Sequence, residues 1–151
     1  MTAIIRELNE ADRNDWDKLW AGYLAFYETV LTPEQTELTW SRLLDPNFEM
    51  HSLVVEVEGA LVALAHYSFT HSSWSVAQDV YLEDLFVDPT LRGQGLGRVL
   101  IDGLSELASS MGSSKLWWET HKDNVTARRL YDSVGELSEF VKYTRATGPE
   151  V

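Results

Sequence analysis

The sequence predicts an α/β fold: a mixed β-sheet with helices on both faces. Three observations carry this expectation. Two apolar strands flank Glu58-Gly59-Ala60 as a hairpin, so the first half pairs antiparallel. The second half alternates strand and helix, the pattern that brings in parallel pairing. The chain has 151 residues, 44 % of them apolar, which suits one domain around one core. A single domain over residues 1–151 is therefore expected.

The elements follow in order. Ala3–Leu8 alternates and reads as the first strand. Asp12–Tyr27 places Trp16, Leu19, Trp20, Tyr23 and Tyr27 at spacings of three and four, an amphipathic helix. Thr32-Pro33-Glu34-Gln35 starts a second helix: Thr32 can cap, Pro33 suits the first turn, and Gln35 completes a capping box. Asp45-Pro46-Asn47 ends it after Leu44. Ser52–Val57, Leu61–Phe69 and Val80–Val87 are strands, the last closed by Asp88-Pro89. Gly97–Met111 is a helix with Leu100, Leu104, Leu107 and Met111 on one face, stopped by Gly112. Leu116–Thr120 is a short strand. Val125–Val134 is a helix with Asn124 or Asp123 at its cap and Gly135 at its end. Phe140–Arg145 reads as a last strand.

Composition narrows the function. The absence of cysteine excludes disulfides, thiolate metal sites and cysteine nucleophiles. The four histidines, His51, His66, His71 and His121, lack ligand spacing on any one element, so no metal is expected. The N-terminus does not resemble a signal peptide, and no apolar run approaches the ~20 residues of a membrane span. A soluble, cytoplasmic protein is the expectation. Acidic residues number 24 and basic residues 12, a net charge of −12. Nucleic acid is a poor partner for such a surface. A small cation is a better one.

Gly93, Gly95 and Gly97 stand at alternate positions between a strand and a helix. Glycine admits positive φ and lets backbone N–H groups approach a ligand. The helix dipole points at the same place, which makes an anion site suited to a diphosphate. Arg92 and Arg98 add positive charge. A P-loop is excluded because Gly97 is followed by Arg98-Val99 rather than Lys-Ser/Thr, and the spacing is not that of a Rossmann fingerprint.

Two motifs make this loop specific. Tyr81-Leu82-Glu83-Asp84-Leu85-Phe86-Val87-Asp88-Pro89, followed by Arg92-Gly93-Gln94-Gly95-Leu96-Gly97, resembles the central acetyl-CoA motif of the GNAT superfamily, Arg/Gln-x-x-Gly-x-Gly/Ala. Asn124, Ala127, Leu130, Tyr131 and Gly135 match its second motif, Asn-x-x-Ala-x-x-Leu/Phe-Tyr-x-x-x-Gly. Ala65-His66-Tyr67-Ser68-Phe69-Thr70, Trp74 and Tyr81–Asp84 resemble the diamine (spermidine/spermine) acetyltransferase branch. That branch often carries an acid two positions before the tryptophan, where Ser72 stands here. The likeness covers nearly the whole chain and is weakest before Ser52.

The resemblance implies a GNAT fold: a mostly antiparallel sheet of about six to seven strands, flanked by about four helices and splayed between strands four and five. It implies an acetyl-CoA-dependent N-acetyltransferase acting on a primary amine, either a small polyamine-like cation or a lysine-like side chain, without an acyl-enzyme. Amino acids, peptide N-termini and aminoglycosides are alternative acceptors, and a non-catalytic acyl-CoA sensor is the alternative of another class. Acetyl-CoA would lie along Leu85, Phe86 and Val87, over Arg92, Gly93, Gln94, Gly95, Leu96, Gly97 and Arg98, and against Asn124, Ala127 and Tyr131. The oxyanion donor would be a backbone N–H at Val87 or nearby.

Tyr131 is the expected acid for the leaving thiolate and Glu83 the expected base, acting through water, with Glu119 and His121 as alternatives. A base is needed because an alkylamine at pH 7 is free to only about one part in a thousand. On a regular strand Asp84 points away from Glu83, so one of the two faces the site. The acceptor pocket would draw on Glu28, Trp74, Glu83, Asp84 and Glu119, Trp74 offering an aromatic face to an ammonium. The remaining tryptophans are expected in packing. A homodimer is compatible with the resemblance.

Overall fold

The computed structural model describes residues 2–149. The chain divides into two units, Met1–Glu119 and Thr120–Val151.

The first unit holds one five-stranded sheet in the order β1-β2-β3-β4-β5. Its strands are β1 (Ala3–Glu7), β2 (Met50–Val57), β3 (Ala60–Thr70), β4 (Asp79–Val87) and β5 (Leu116–Trp118). The β2–β3 hairpin turns on Glu58 and Gly59, both at positive φ, as a two-residue turn between twisted strands requires. The first four strands are antiparallel. β5 runs parallel to β4 and pairs only with Val80, Tyr81 and Leu82. From Glu83 onward, β4 has no strand partner on its β5 side among the described residues. The expected divergence of strands four and five is thus present.

Helices cover both faces. A short 3-10 turn, Glu10–Asp12, is capped by Asn9 and leads into α1 (Arg13–Phe26). The helix therefore begins one residue later than expected. Asp15 fastens it to β3 by accepting from the Leu61 backbone N–H at 3.0 Å. Thr32 caps α2 (Pro33–Leu44) by accepting from the Gln35 N–H at 3.1 Å, as its sequence predicts. Trp16, Leu19 and Trp20 of α1 and Trp40 and Leu43 of α2 bury against Val54, Leu61, Leu64 and Phe86 of the sheet. α3 (Leu96–Ser110) buries Leu96, Leu100, Ile101, Leu104 and Ala108, and its Gly103 lies over Ile5 and Leu53 on the other face.

The second unit carries α4 (Val125–Val134), at the bounds the sequence predicts. Asn124, not Asp123, is its N-cap, accepting from the Ala127 N–H at 3.3 Å. The expected strand at Phe140–Arg145 does not form. Phe140, Val141 and Tyr143 are 81, 76 and 91 % exposed, and the segment is not among the paired strands of the described residues. Apolar alternation makes a strand only where a neighbour supplies a ladder. The sheet accordingly has five strands rather than six to seven.

Candidate active site

The glycine loop is built from its ends inward. Asp88 accepts from the backbone N–H and the hydroxyl of Thr90, at 2.9 and 2.8 Å, and so closes the turn after β4. Buried Leu96 anchors the far end in the core beneath α3. Gly93 and Gly95 have φ of 80° and 78°, which explains glycine at both. A Cβ at either would meet nothing within 4 Å, so the loop's outer side is open. Gly95 is the N-cap of α3 and no side chain caps that end. The N–H groups of the first turn are left to whatever occupies the opening. This is the donor set that a diphosphate needs. Gln94 and Arg98 stand exposed beside it. The Arg92 guanidinium lies over the rings of Phe26 and Phe86, 5.7 Å from each centroid, which ties the loop to α1.

β4 departs from regular alternation where the chemistry is expected. His66 of β3 faces Asp84, yet Tyr67 faces Leu82, so Glu83 is an extra residue in β4. Such a bulge re-aims side chains. The regular alternation that would set Glu83 and Asp84 on opposite faces does not hold here, because Glu83 is itself the bulge residue. The charges of both carboxylates raise the Tyr23 and Tyr81 phenols. The Tyr81 phenol is pushed up to about 12 by burial, then by Glu83, Glu119 and Asp84. Its hydroxyl donates to Glu119 at 3.3 Å, and its ring packs on Trp117 at 4.2 Å. The Tyr23 phenol is held well above its ordinary value, first by burial and then by Asp84. Glu83, Asp84, Glu119, Tyr23 and Tyr81 thus form one acidic, aromatic cluster at the bulge.

Beneath Asp84 lies a buried chain. Trp16, fully buried, donates its indole N–H to His66 Nε2 at 3.1 Å. His66 Nδ1 lies 3.0 Å from Asp84 Oδ2. His66 is 1 % exposed, while the Asp84 side chain is 20 % exposed and reaches the surface.

The other predicted residues fall out as follows. Leu85 and Val87 pair with Ala65 and Ala63 of β3, and Phe86 turns its ring into the core. Any contact of Phe86 with a bound arm is therefore through its backbone. Gly97 lies in the first turn of α3. Glu28 follows α1 in the left-handed region, at φ 51°. Trp74 is 88 % exposed on the loop between β3 and β4. In the second unit, Ala127 and Tyr131 lie half-buried on α4. Asn124 also donates to Thr120 Oγ1 at 3.3 Å, so both ends of its amide serve the helix start. His121 is exposed and accepts from the Asp123 N–H at 3.2 Å.

Sequence reasoning did not single out Tyr23, Tyr81 or His66 as site residues. Tyr23 sat in a helical apolar pattern that reads as core. His66 sat in a run of buried strand residues, and its partner Trp16 is fifty positions away. The signal was a polar residue inside an apolar strand, which has to find a buried partner.

The open loop at the α3 start lies next to the splayed, carboxylate-bearing end of β4. The acetyltransferase (GNAT) family matches residues 8–135, and the chain belongs to that family of acyltransferases. It is 33 % identical over 144 residues to the D-amino-acid N-acetyltransferase HPA3 of Saccharomyces cerevisiae, covering 94 % of this chain and 89 % of that protein. It is 31 % identical over 144 residues to the thialysine N-epsilon-acetyltransferase of Bos taurus, covering 87 and 82 %. The fold matches the crystal structure of a ribosomal-protein-alanine N-acetyltransferase from Brucella melitensis with a TM-score of 0.83 at 21 % identity, over 96 % of this chain and 99 % of that one. The protein is an N-acetyltransferase. No helix among the described residues is long and apolar enough to cross a membrane.

Proposed function

We propose that the chain transfers an acetyl group from acetyl-CoA directly to the primary amine of a small cationic acceptor. The carrying observation is the cluster of Glu83, Asp84 and Glu119 around Tyr23 and Tyr81 at the β4 bulge. Carboxylates and aromatic faces together attract an ammonium group. The loop at Gly93–Gly97 and Arg98 would hold the diphosphate. The open edge of β4 from Glu83 to Val87 would take the pantetheine arm as an added strand.

In this reading the ammonium loses a proton to Glu83 through water. The amine nitrogen then bonds to the thioester carbon, and the oxyanion accepts from a backbone N–H at Val87 or nearby. Collapse breaks the C–S bond; Tyr131 donates the proton that the thiolate takes, and the extra proton still carried by the new amide nitrogen passes through water to the tyrosinate, restoring it. Its role rests on the motif Asn124–Gly135 in which it stands. The names of the yeast and bovine relatives, both of which act on amines, support an amine acceptor. The yeast name also favours a second reading, with an amino acid as acceptor.

The test is thiol release from acetyl-CoA across diamines, polyamines, amino acids, lysine peptides, aminoglycosides and neutral arylamines. Cationic amines should dominate. Glu83→Gln should lower kcat/KM by roughly a hundredfold with acetyl-CoA affinity within about threefold. Turnover confined to neutral amines would overturn the proposal.

A further inference from the structure

We infer that His66 is a positioning residue for the acceptor: backed by Trp16, it holds the Asp84 carboxylate in the orientation that receives the ammonium. The inference rests on the reading of the bulge cluster as the acceptor site.

An indole N–H only donates. Trp16 donates to His66 Nε2, so Nε2 must present its lone pair. The ring's single proton is then on Nδ1, where it can only be given to Asp84 Oδ2. Burial of Trp16 and His66 at 0 and 1 % exposure leaves no solvent to replace either partner. The tautomer is thereby fixed by the side chain behind it. The Asp84 carboxylate is held at one oxygen from below, and Tyr23 faces it from α1. The other oxygen is outside the His66 bond, in a side chain that still reaches the surface. A carboxylate fixed in this way meets an incoming ammonium without first giving up rotational freedom, and such preorganisation favours binding. Register supplies the geometry: His66 and Asp84 are direct partners across β3 and β4 at the last position before the bulge.

Steady-state kinetics of variants test this, using the best acceptor from the amine panel. His66→Phe should raise the acceptor KM at least about tenfold and leave the acetyl-CoA KM within about twofold. His66→Asn, whose amide can donate from near the Nδ1 position, should recover most of that loss. In an Asp84→Asn background, His66→Phe should add nothing further, because the two act as one unit. An unchanged acceptor KM in folded His66→Phe, or an undiminished loss in the Asp84→Asn background, would overturn the inference. Nitrogen-15 NMR of the His66 ring in the wild-type protein gives a readout that needs neither a variant nor turnover. A protonated Nδ1 and bare Nε2 are expected, and the reverse overturns the relay. No turnover with any cationic amine would instead sink the acceptor assignment, and this inference with it, even where the NMR result holds.

Discussion

A phenol can act as an acid only if it releases its proton to the leaving group. Tyr81 is pushed up to about 12 by burial and by three carboxylates, and Tyr23 is likewise held above its ordinary value by burial and by Asp84. Protonating a thiolate of ordinary basicity, near 8.5, from such groups runs uphill by about 3 units or more. Both are therefore suited to donating hydrogen bonds and walling the site, not to giving up a proton. Tyr131 stands apart from that acidic cluster in sequence and carries the family motif. Tyr131→Phe should lower kcat well over tenfold with acetyl-CoA affinity within about threefold, and Tyr81→Phe should lower kcat less than about threefold. Steady-state kinetics with isothermal titration measures both. A larger kcat loss in Tyr81→Phe would move the acid role to that residue.

At the scale of elements, α1 lies close against β4 because residue 22 is glycine. A Cβ there would come within 2.8 Å of the Phe86 ring. That ring is 6 % exposed, meets Tyr23 edge-on, and lies under the Arg92 guanidinium. Gly22→Ala gains up to about 1 kcal/mol of helix propensity and pays a packing strain of about 1–3 kcal/mol. The strain should win, lowering Tm by a few degrees and raising the acetyl-CoA KM severalfold as Arg92 shifts. Thermal melts and donor kinetics check this, and a raised Tm would show that Phe86 yields freely. Local features of this kind divide into those a sequence shows and those it hides. The glycine loop was legible because Gly93 and Gly95 answer to their own φ, and α4 because Asn124 and Gly135 mark its ends. The bulge at Glu83 was not, since register depends on His66 and Tyr67 of β3, seventeen and sixteen positions away. Nor was the missing strand at Phe140–Arg145, whose alternation says nothing about whether an edge is available.

For the whole molecule, the acidic balance and the ion pairs pull in opposite directions with pH. The net charge of −12 at neutral pH repels itself, and mild acid relieves that repulsion. Arg6 works against acid. Its guanidinium grips both oxygens of Asp12 at 2.7 and 2.8 Å and reaches Glu56 at 3.1 Å, joining β1, the turn before α1, and β2. Asp12 also accepts from the Asn9 N–H, and its side chain is 8 % exposed. Arg6, opposed by burial and aided by Asn9, lowers its pKa below the ordinary 3.8. A depressed carboxylate stabilises the fold fully above its unfolded value, and that contribution is lost as pH falls through the folded value. Wild-type Tm should therefore hold or rise from pH 7 to about 5 and fall below about 4. Asp12→Asn keeps an acceptor for Asn9 but removes the charge. It should cost about 1–3 kcal/mol at pH 7, or about 2–4 °C of Tm per kcal/mol. The gap between the two melting curves should narrow below about pH 4 and close near pH 2, because protonation brings wild-type Asp12 to the same neutral state. Calorimetric melts across that range decide it. Curves that stay parallel down to pH 2 would mean that the acid sensitivity lies in other carboxylates.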